Sequence, residues 1–197
     1  MPEPTPEQER QRAALKRVAA GLRATGLPYA LAGGYAAWVR GAPEPDHDVD
    51  FLVAEDDVPA VVEGLGANGL EVVEPPEGWL RKVLTDGVVV DLLHRTNGVP
   101  VRREQVEEAE ALSVLSVVMP VVTVTHYVCA KLNSLDEHHC DLAALLPQVR
   151  ALREQADWGR VREATAGNPF AEAFLLLVHR LGIAPDPGAT FRPPRAS

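Results

Sequence analysis

Three aspartates stand at places where the sequence otherwise favours buried strands. Asp48 and Asp50 occur together at the start of the apolar segment VDFLVA. If the strand begins that early, their side chains point to the same face. Asp91 interrupts the apolar run VVVDLL, where an ionised carboxylate is costly unless a cation accompanies it. If these two strands are neighbours, the three carboxylates can share a hard divalent cation such as Mg²⁺ or Mn²⁺.

Two adjacent glycines, Gly33 and Gly34, precede these aspartates. They separate a short predicted strand from a short predicted helix, so backbone N–H groups there can approach a phosphate. Arg40, at the end of that helix, is either a second phosphate contact or a partner of the acidic segment that follows. Divalent ions beside a phosphate turn can activate an attacking oxygen and stabilise a leaving pyrophosphate.

The elements that position these residues follow from apolar spacing and from capping residues. We expect an α/β (α+β) chain, with a mixed sheet and flanking helices followed by a helical bundle. The dipeptide Asp86-Gly87 between two apolar runs predicts a hairpin with a type I′ turn. The predicted domains are a catalytic domain (1–120), a helical domain (121–184) and a flexible tail (185–197). Strands are predicted at 29–32, 49–54, 70–73, 79–85, 88–94 and 114–119, and helices at 6–25, 35–40, 58–66, 126–135, 141–153, 157–166 and 168–182.

The charge of the chain is unevenly distributed. Its net charge is −9, but the segment Gly41–Pro76 alone holds five Asp, five Glu and no Lys or Arg. The remainder is therefore close to neutral, and the acidic total does not exclude a polyanionic partner. With two cysteines, no signal peptide and no apolar run long enough to span a bilayer, we expect a cytoplasmic protein without a membrane partner.

The segments "LAGGYAAWVRG", "DHDVDFLV" and "VVVDLLHR" together resemble the nucleotidyltransferase pattern of the DNA polymerase β superfamily. The resemblance covers residues 29 to 94. It implies a minimal polymerase-β-like sheet in which Asp48, Asp50 and Asp91 bind the metal and act in catalysis. It also implies that Gly33 and Gly34 form the nucleotide-binding turn, with glycine at the second position where the family often has serine.

The helical half resembles AbiEii-like and MenT-like nucleotidyltransferases, which include toxins of bacterial toxin–antitoxin systems. Lys131-Leu132 and Asp141-Leu142 match two positions of that group. The resemblance implies that Lys131 contacts the triphosphate and that Asp141 is a polar or acid–base partner. His138 or His139 is expected to face the nucleotide, and we take His139 as the candidate. A zinc site at Asp136–Cys140 is disfavoured, because adjacent residues lack the spacing of structural zinc ligands.

These observations predict an enzyme that transfers NMP from an NTP to an acceptor hydroxyl. The leading acceptor is the 3′ end of tRNA, which would make the protein a translation-blocking toxin with a possible protein antitoxin. The alternatives are an antibiotic of the aminoglycoside or lincosamide type, or a protein side chain, as acceptor. A non-catalytic nucleotide-binding module is the remaining alternative, and the presence of all three carboxylates argues against it.

Overall fold

The computed structural model describes residues 4–45 and 47–185. The chain forms two units, which divide between Thr123 and Val124. The first unit is a mixed α/β structure and the second is helical. Apart from Pro185, the tail predicted at 185–197 lies outside the described residues. No helix within the described ranges is long and apolar enough to cross a membrane.

The first unit is built on a seven-stranded mixed sheet, which confirms the predicted architecture. The strand order is β3-β4-β5-β2-β1-β9-β8, with β2 parallel to β5, β1 parallel to β9 and the other pairs antiparallel. Strands β6 and β7 form a separate small hairpin. The strands are β1 (Tyr29–Ala32), β2 (Val49–Val53), β3 (Glu71–Val73), β4 (Leu80–Thr85), β5 (Val88–Leu93), β6 (Arg95–Thr96), β7 (Val99–Pro100), β8 (Glu110–Val114) and β9 (Val117–Val121).

Helices flank this sheet, and helices form the regular structure described for residues 124–185 of the second unit. In the first unit α1 packs against α3 and β5, while α2 and α4 pack against β1 and β2. In the second unit α5 packs against α7 and α8. The helices are α1 (Pro6–Thr25), α2 (Gly33–Trp38), α3 (Val58–Ala67), α4 (Arg103–Glu107), α5 (Val124–Asn133), α6 (Leu142–Leu152), α7 (Trp158–Ala164) and α8 (Pro169–Arg180), with short 3₁₀ turns at Glu55–Asp57 and Arg153–Gln155.

Helix α1 has the predicted boundaries because its capping residues satisfy the free backbone groups at both ends. The Thr5 side chain accepts a hydrogen bond from the Gln8 backbone N–H, and the Gln8 side chain accepts one from the Thr5 N–H. Gly26 ends the helix in the left-handed region at φ 72°, which glycine adopts without steric cost. Leu15, Val18 and Leu22 of α1 are fully buried, so this helix contributes one apolar face to the core.

The β4–β5 hairpin confirms the predicted type I′ turn. Asp86 and Gly87 both have positive φ, at 49° and 76°, as that turn requires. A two-residue loop fixes the register of the whole hairpin, which pairs Thr85 with Val88 and Lys82 with Asp91. The turn therefore determines which side chains share a face with Asp91.

The single strand predicted at 114–119 is wrong. Residues 110–121 form the β8–β9 hairpin, with its turn at Leu115 and Ser116, whose φ values are 49° and 68°. Such a turn normally carries Asn or Gly, so the residue types at these two positions do not indicate it. Burial of Val114 and Met119 on the two strands offsets the backbone strain. Pro120, predicted to end the strand, lies within β9.

Three of the four helices in the second unit begin at predicted caps. Asp141, Asp157 and Asn168 each accept hydrogen bonds from backbone N–H groups in the first turn, which stabilises a helix N-terminus. Thr125, which directly precedes the helix predicted at 126–135, lies inside α5, which begins at Val124. Its hydroxyl accepts a hydrogen bond from the Asp157 N–H, so it connects α5 to the start of α7.

Candidate active site

Four residues on neighbouring strands form one row across the sheet. Asp50 of β2 is paired with Ala32 of β1 on one side and with Asp91 of β5 on the other. Asp91 is in turn paired with Lys82 of β4. Directly paired residues project from the same face of a sheet, and adjacent strands lie about 4.8 Å apart. The row therefore places the two carboxylates side by side and the lysine next to them.

The glycine turn lies against this row. Gly33 follows Ala32 directly and has a φ of 58°. A Cβ atom at Gly33 would lie 1.8 Å from the Asp50 Oδ2 atom, a distance that no side chain can occupy. A Cβ atom at Gly34 would lie 2.8 Å from the Pro45 Cβ. Both positions therefore need glycine for packing. The predicted phosphate turn lies directly against the Asp50 side chain.

Asp48 lies just before the strand, and its backbone differs from the predicted extended form. Strand β2 begins at Val49, and Asp48 is exposed with a φ of 65°. Aspartate adopts this left-handed region more readily than most residues, although at some cost. Simple strand alternation therefore does not set its direction. Asp48 is nevertheless near enough to Asp91 for its negative charge to raise the pKa of the Asp91 carboxyl.

The environment of Asp91 disfavours its ionised form. Burial is the main cause that raises the pKa of the Asp91 carboxyl, and the charges of Asp48 and Glu77 act in the same direction. The positive charge of Lys82 opposes them. The Asp91 Oδ1 atom is buried without a hydrogen-bond partner among the described residues. A buried carboxylate oxygen of this kind is a strong acceptor for a cation or a proton.

The register of β4 determines which of Arg81 and Lys82 faces Asp91. Arg81 is on the other face, where it forms an ion pair with Glu74 at 2.8 Å and contacts His94. Lys82 is on the face of Asp91. The length of the Asp86-Gly87 turn contained this information, since a two-residue loop after Thr85 pairs residue 82 with residue 91. Lys82 is therefore a candidate residue that the predicted site lacks.

Arg40, a predicted phosphate contact, is held by the protein itself. Its guanidinium donates hydrogen bonds to the carbonyl oxygens of Val121 and Val122 at 3.2 and 3.0 Å, and it forms an ion pair with Glu110 at 2.8 Å. Only 8% of its side chain is exposed. These contacts attach the end of α2 to β9, and contact with a nucleotide stays a prediction.

Replacement of Arg40 by methionine tests whether its side chain stabilises the fold or contacts the nucleotide. We expect the free energy of unfolding to fall by about 2 kcal/mol, because two carbonyl oxygens lose a charged donor. The KM for the nucleotide should change little. Thermal unfolding and initial rates of the same preparation test this. A raised KM at an unchanged Tm would instead assign Arg40 to the nucleotide.

The second unit brings together the other predicted site residues. Lys131, His139 and Asp141 line one groove of about 790 Å³, together with Gln148. The Lys131 ammonium lies 6.0 Å from the centre of the Tyr127 ring, and Asp141 also caps α6. The Tyr127 hydroxyl donates a hydrogen bond to Gln148. The groove is thus a polar recess with a single lysine among its lining residues, and its use in catalysis stays a prediction.

The segment of Asp136 to Cys140 is an ordered turn on the rim of this groove. The Asp136 carboxylate accepts hydrogen bonds from the backbone N–H groups of His138 and His139, both at 2.8 Å. These bonds lower the pKa of the Asp136 carboxyl. As the side chains are oriented, the described residues of the whole chain contain no group of three or more His, Cys, Asp or Glu that could hold one metal ion.

Comparisons with known proteins agree with this architecture. No protein-family model matches the sequence, and no curated protein sequence matches it. The crystal structure of ANT(2″)-Ia in complex with adenylyl-2″-tobramycin is 12% identical to the chain, covers 84% of this chain and 99% of that one, and has a TM-score of 0.56. The solution structure of the antibiotic-resistance factor ANT(2″)-Ia is 13% identical, with coverages of 88% and 98% and a TM-score of 0.52.

A nucleotidyltransferase-like protein from Paracoccidioides brasiliensis also matches, at 12% identity, 89% of each chain and a TM-score of 0.48. At such identities the likeness to the two ANT(2″)-Ia structures is one of fold. The chain therefore has the fold of the nucleotidyltransferases.

Proposed function

We propose that the protein is a metal-dependent nucleotidyltransferase, which transfers NMP from an NTP to an acceptor hydroxyl and releases pyrophosphate. The observation that carries this proposal is the pairing of Asp50 with Asp91 beside Gly33, whose Cα leaves no room for a side chain next to Asp50. Carboxylates on adjacent strands can bind a cation, and the backbone of a neighbouring turn without side chains can bind a phosphate.

Asp50 and Asp91 are paired on adjacent strands and could share a divalent cation, although the three aspartates, as their side chains are oriented, do not form a complete metal site. Asp91 has a buried oxygen without a partner among the described residues, and the charges of Asp48 and Glu77 disfavour its ionisation. A cation held by Asp48, Asp50 and Asp91 would give the buried Asp91 oxygen a partner. It would also offset the negative charges that disfavour ionisation of Asp91. Mg²⁺ or Mn²⁺, when bound, would neutralise phosphate charge and make the acceptor hydroxyl more acidic.

The position of each candidate residue suggests its role in the proposed transfer. Gly33 and Gly34 leave the backbone accessible beside Asp50, where the phosphates bind. Asp91 would hold the cation next to the acceptor hydroxyl and so take part in activating that hydroxyl. From the family resemblance, Lys131 stabilises phosphate charge, while Asp141 and His139 are polar partners of the nucleotide.

The proposed acceptor is the 3′ end of tRNA, and the biological role is that of a toxin with a protein antitoxin. Support comes from the resemblance at Lys131-Leu132 and Asp141-Leu142. Arg150, Arg153 and Arg160 in the second unit are exposed, as basic residues that meet a phosphate backbone must be.

A second acceptor class, a cationic small molecule, is favoured by a different observation. The charges of Asp48 and Glu77 both act on Asp91, and the segment Gly41–Pro76 has no Lys or Arg. The negative electrostatic potential of these acidic residues attracts a polycation. Tobramycin is a suitable probe, since the solved ANT(2″)-Ia complex contains its adenylyl derivative.

The test supplies the purified protein and Mg²⁺ with each of four α-labelled NTPs and with either total bacterial tRNA or tobramycin. We expect label on tRNA with one or two of the NTPs, and no label with the Asp48→Ala variant. Label on tobramycin alone would replace the tRNA proposal with the second acceptor class. If no acceptor is labelled with either Mg²⁺ or Mn²⁺, a non-catalytic nucleotide-binding module is the better interpretation.

Metal binding can be tested without any acceptor. We expect millimolar Mg²⁺ to raise the Tm of the wild-type protein, because the ion offsets repulsion between the carboxylates. The Asp91→Asn variant should have a higher Tm than wild type in the absence of the ion and should gain less from its addition. Differential scanning calorimetry with and without Mg²⁺ measures both effects. An equal gain in the two proteins would show that Asp91 does not hold the ion.

A further inference from the structure

Lys82 and the glycine turn lie at opposite ends of the row across the sheet. The order is Ala32 followed by Gly33, then Asp50, Asp91 and finally Lys82. Three strand spacings separate Ala32 from Lys82, which is about 14 Å. If the phosphates bind at the glycine turn, Lys82 is on the far side of the carboxylates. That side is where the acceptor must approach, because its attacking oxygen and the leaving pyrophosphate lie roughly in line across the transferred phosphorus.

The charge of Lys82 is available to a ligand on this side. Lys82 is near enough to Asp91 to influence it electrostatically. However, its ammonium makes no ion pair within 4.0 Å with any acid of the described ranges. The next pair on the same face, Leu84 and Val89, is 36% and 46% exposed. The sheet surface beyond Lys82 is therefore open to a ligand.

We propose that Lys82 is a specificity residue for the acceptor and binds an anionic group next to the attacking hydroxyl, of the phosphodiester class. The inference rests on the proposed nucleotidyl transfer and specifies its acceptor side. A ribose hydroxyl at an RNA 3′ end has such a phosphodiester as its neighbour. A lysine ammonium is a compact cation suited to a phosphate oxygen. The same ammonium would repel a polycationic acceptor, so Lys82 distinguishes the two acceptor classes.

The test uses two short RNAs that end in CCA and differ only in the last linkage, which is a phosphodiester in one and an uncharged methylphosphonate in the other. We expect wild-type protein to prefer the phosphodiester RNA by about tenfold in kcat/KM, the effect of one charge-assisted contact. Lys82→Met should lose this preference while its KM for the NTP stays unchanged. Lys16→Met, at an exposed lysine of α1, removes the same charge elsewhere and should keep the preference.

The outcomes separate this inference from the function on which it rests. A preference that survives in Lys82→Met would overturn the role of Lys82 and leave the transfer reaction intact. An increased KM for the NTP in that variant would also overturn it, since Lys82 would then face the triphosphate. If wild-type protein modifies neither RNA but modifies tobramycin, both the RNA acceptor and the anion-binding role of Lys82 are wrong. If it modifies no acceptor, the proposed transfer is wrong as well.

Discussion

The Asp50→Asn variant is expected to transfer nucleotides at least about a thousandfold more slowly than the wild-type protein. Asp50 occupies the centre of the row, between the strand that leads into the glycine turn and the strand that carries Asp91. Asparagine has nearly the same shape, so contact with Gly33 should survive. What is lost is the negative charge that a divalent cation requires.

The matched control for this experiment is Asp56→Asn, at an exposed aspartate that directly precedes the buried Asp57. It removes one acidic charge from the same segment without touching the row. We expect rates within twofold of wild type, by analogy with other exposed substitutions. Circular dichroism and Tm should show that both variants are folded. A rate for Asp50→Asn within tenfold of wild type would rule out Asp50 as a metal ligand in catalysis.

The second large effect is expected from Gly33→Ala. The new Cβ would lie 1.8 Å from Asp50 Oδ2, so the carboxylate or the backbone must move. The positive φ adds about 1–2 kcal/mol of backbone strain for any L side chain. We therefore expect a lower Tm and a loss of transfer by at least about a hundredfold, since a displacement of about 1 Å can cost this much in rate.

Two other glycines separate backbone strain from the displacement of Asp50. Gly26 has a φ of 72° but open space around its Cα, whereas Gly66 of α3 has open space and no positive φ. Gly26→Ala should therefore lower the Tm without changing kcat. Gly66→Ala should raise stability by about 0.5–1 kcal/mol. If Gly33→Ala behaves like Gly26→Ala, with normal kcat, the glycine turn does not position the site.

The sequence predicted those elements whose ends carry explicit local chemistry. Thr5, Gln8 and Gly26 define α1, and Asp86-Gly87 defines the hairpin that carries Asp91. Asp91 is also conspicuous in the sequence, because a carboxylate inside an apolar strand needs a partner, whereas its place in the row depends on pairing between strands. The helix ends and the hairpin turn depend on interactions between residues close in sequence, which is why they can be read from one chain.

The features that the sequence did not reveal depend on tertiary contacts. The Leu115-Ser116 turn has no residue that favours positive φ, so pairing between β8 and β9 determines it. The sequence leaves Arg40 open between a phosphate and the acidic segment, because nothing local indicates the carbonyl oxygens of Val121 and Val122, which lie 81 and 82 residues further along the chain. The left-handed backbone of Asp48 likewise has no signature in its neighbours.

The length of the Asp86-Gly87 turn also affects which side chains of β4 face the candidate site. Side chains on a strand alternate between faces, so a change in this turn that slips the register by one residue and brings residue 81 opposite residue 91 would exchange the faces of β4 relative to β5. Arg81 would then stand opposite Asp91, and Lys82 would be directed toward the buried face that contains Val83. Although the turn is exposed and makes no contact with a nucleotide in the proposed reaction, its two-residue length keeps Lys82 opposite Asp91.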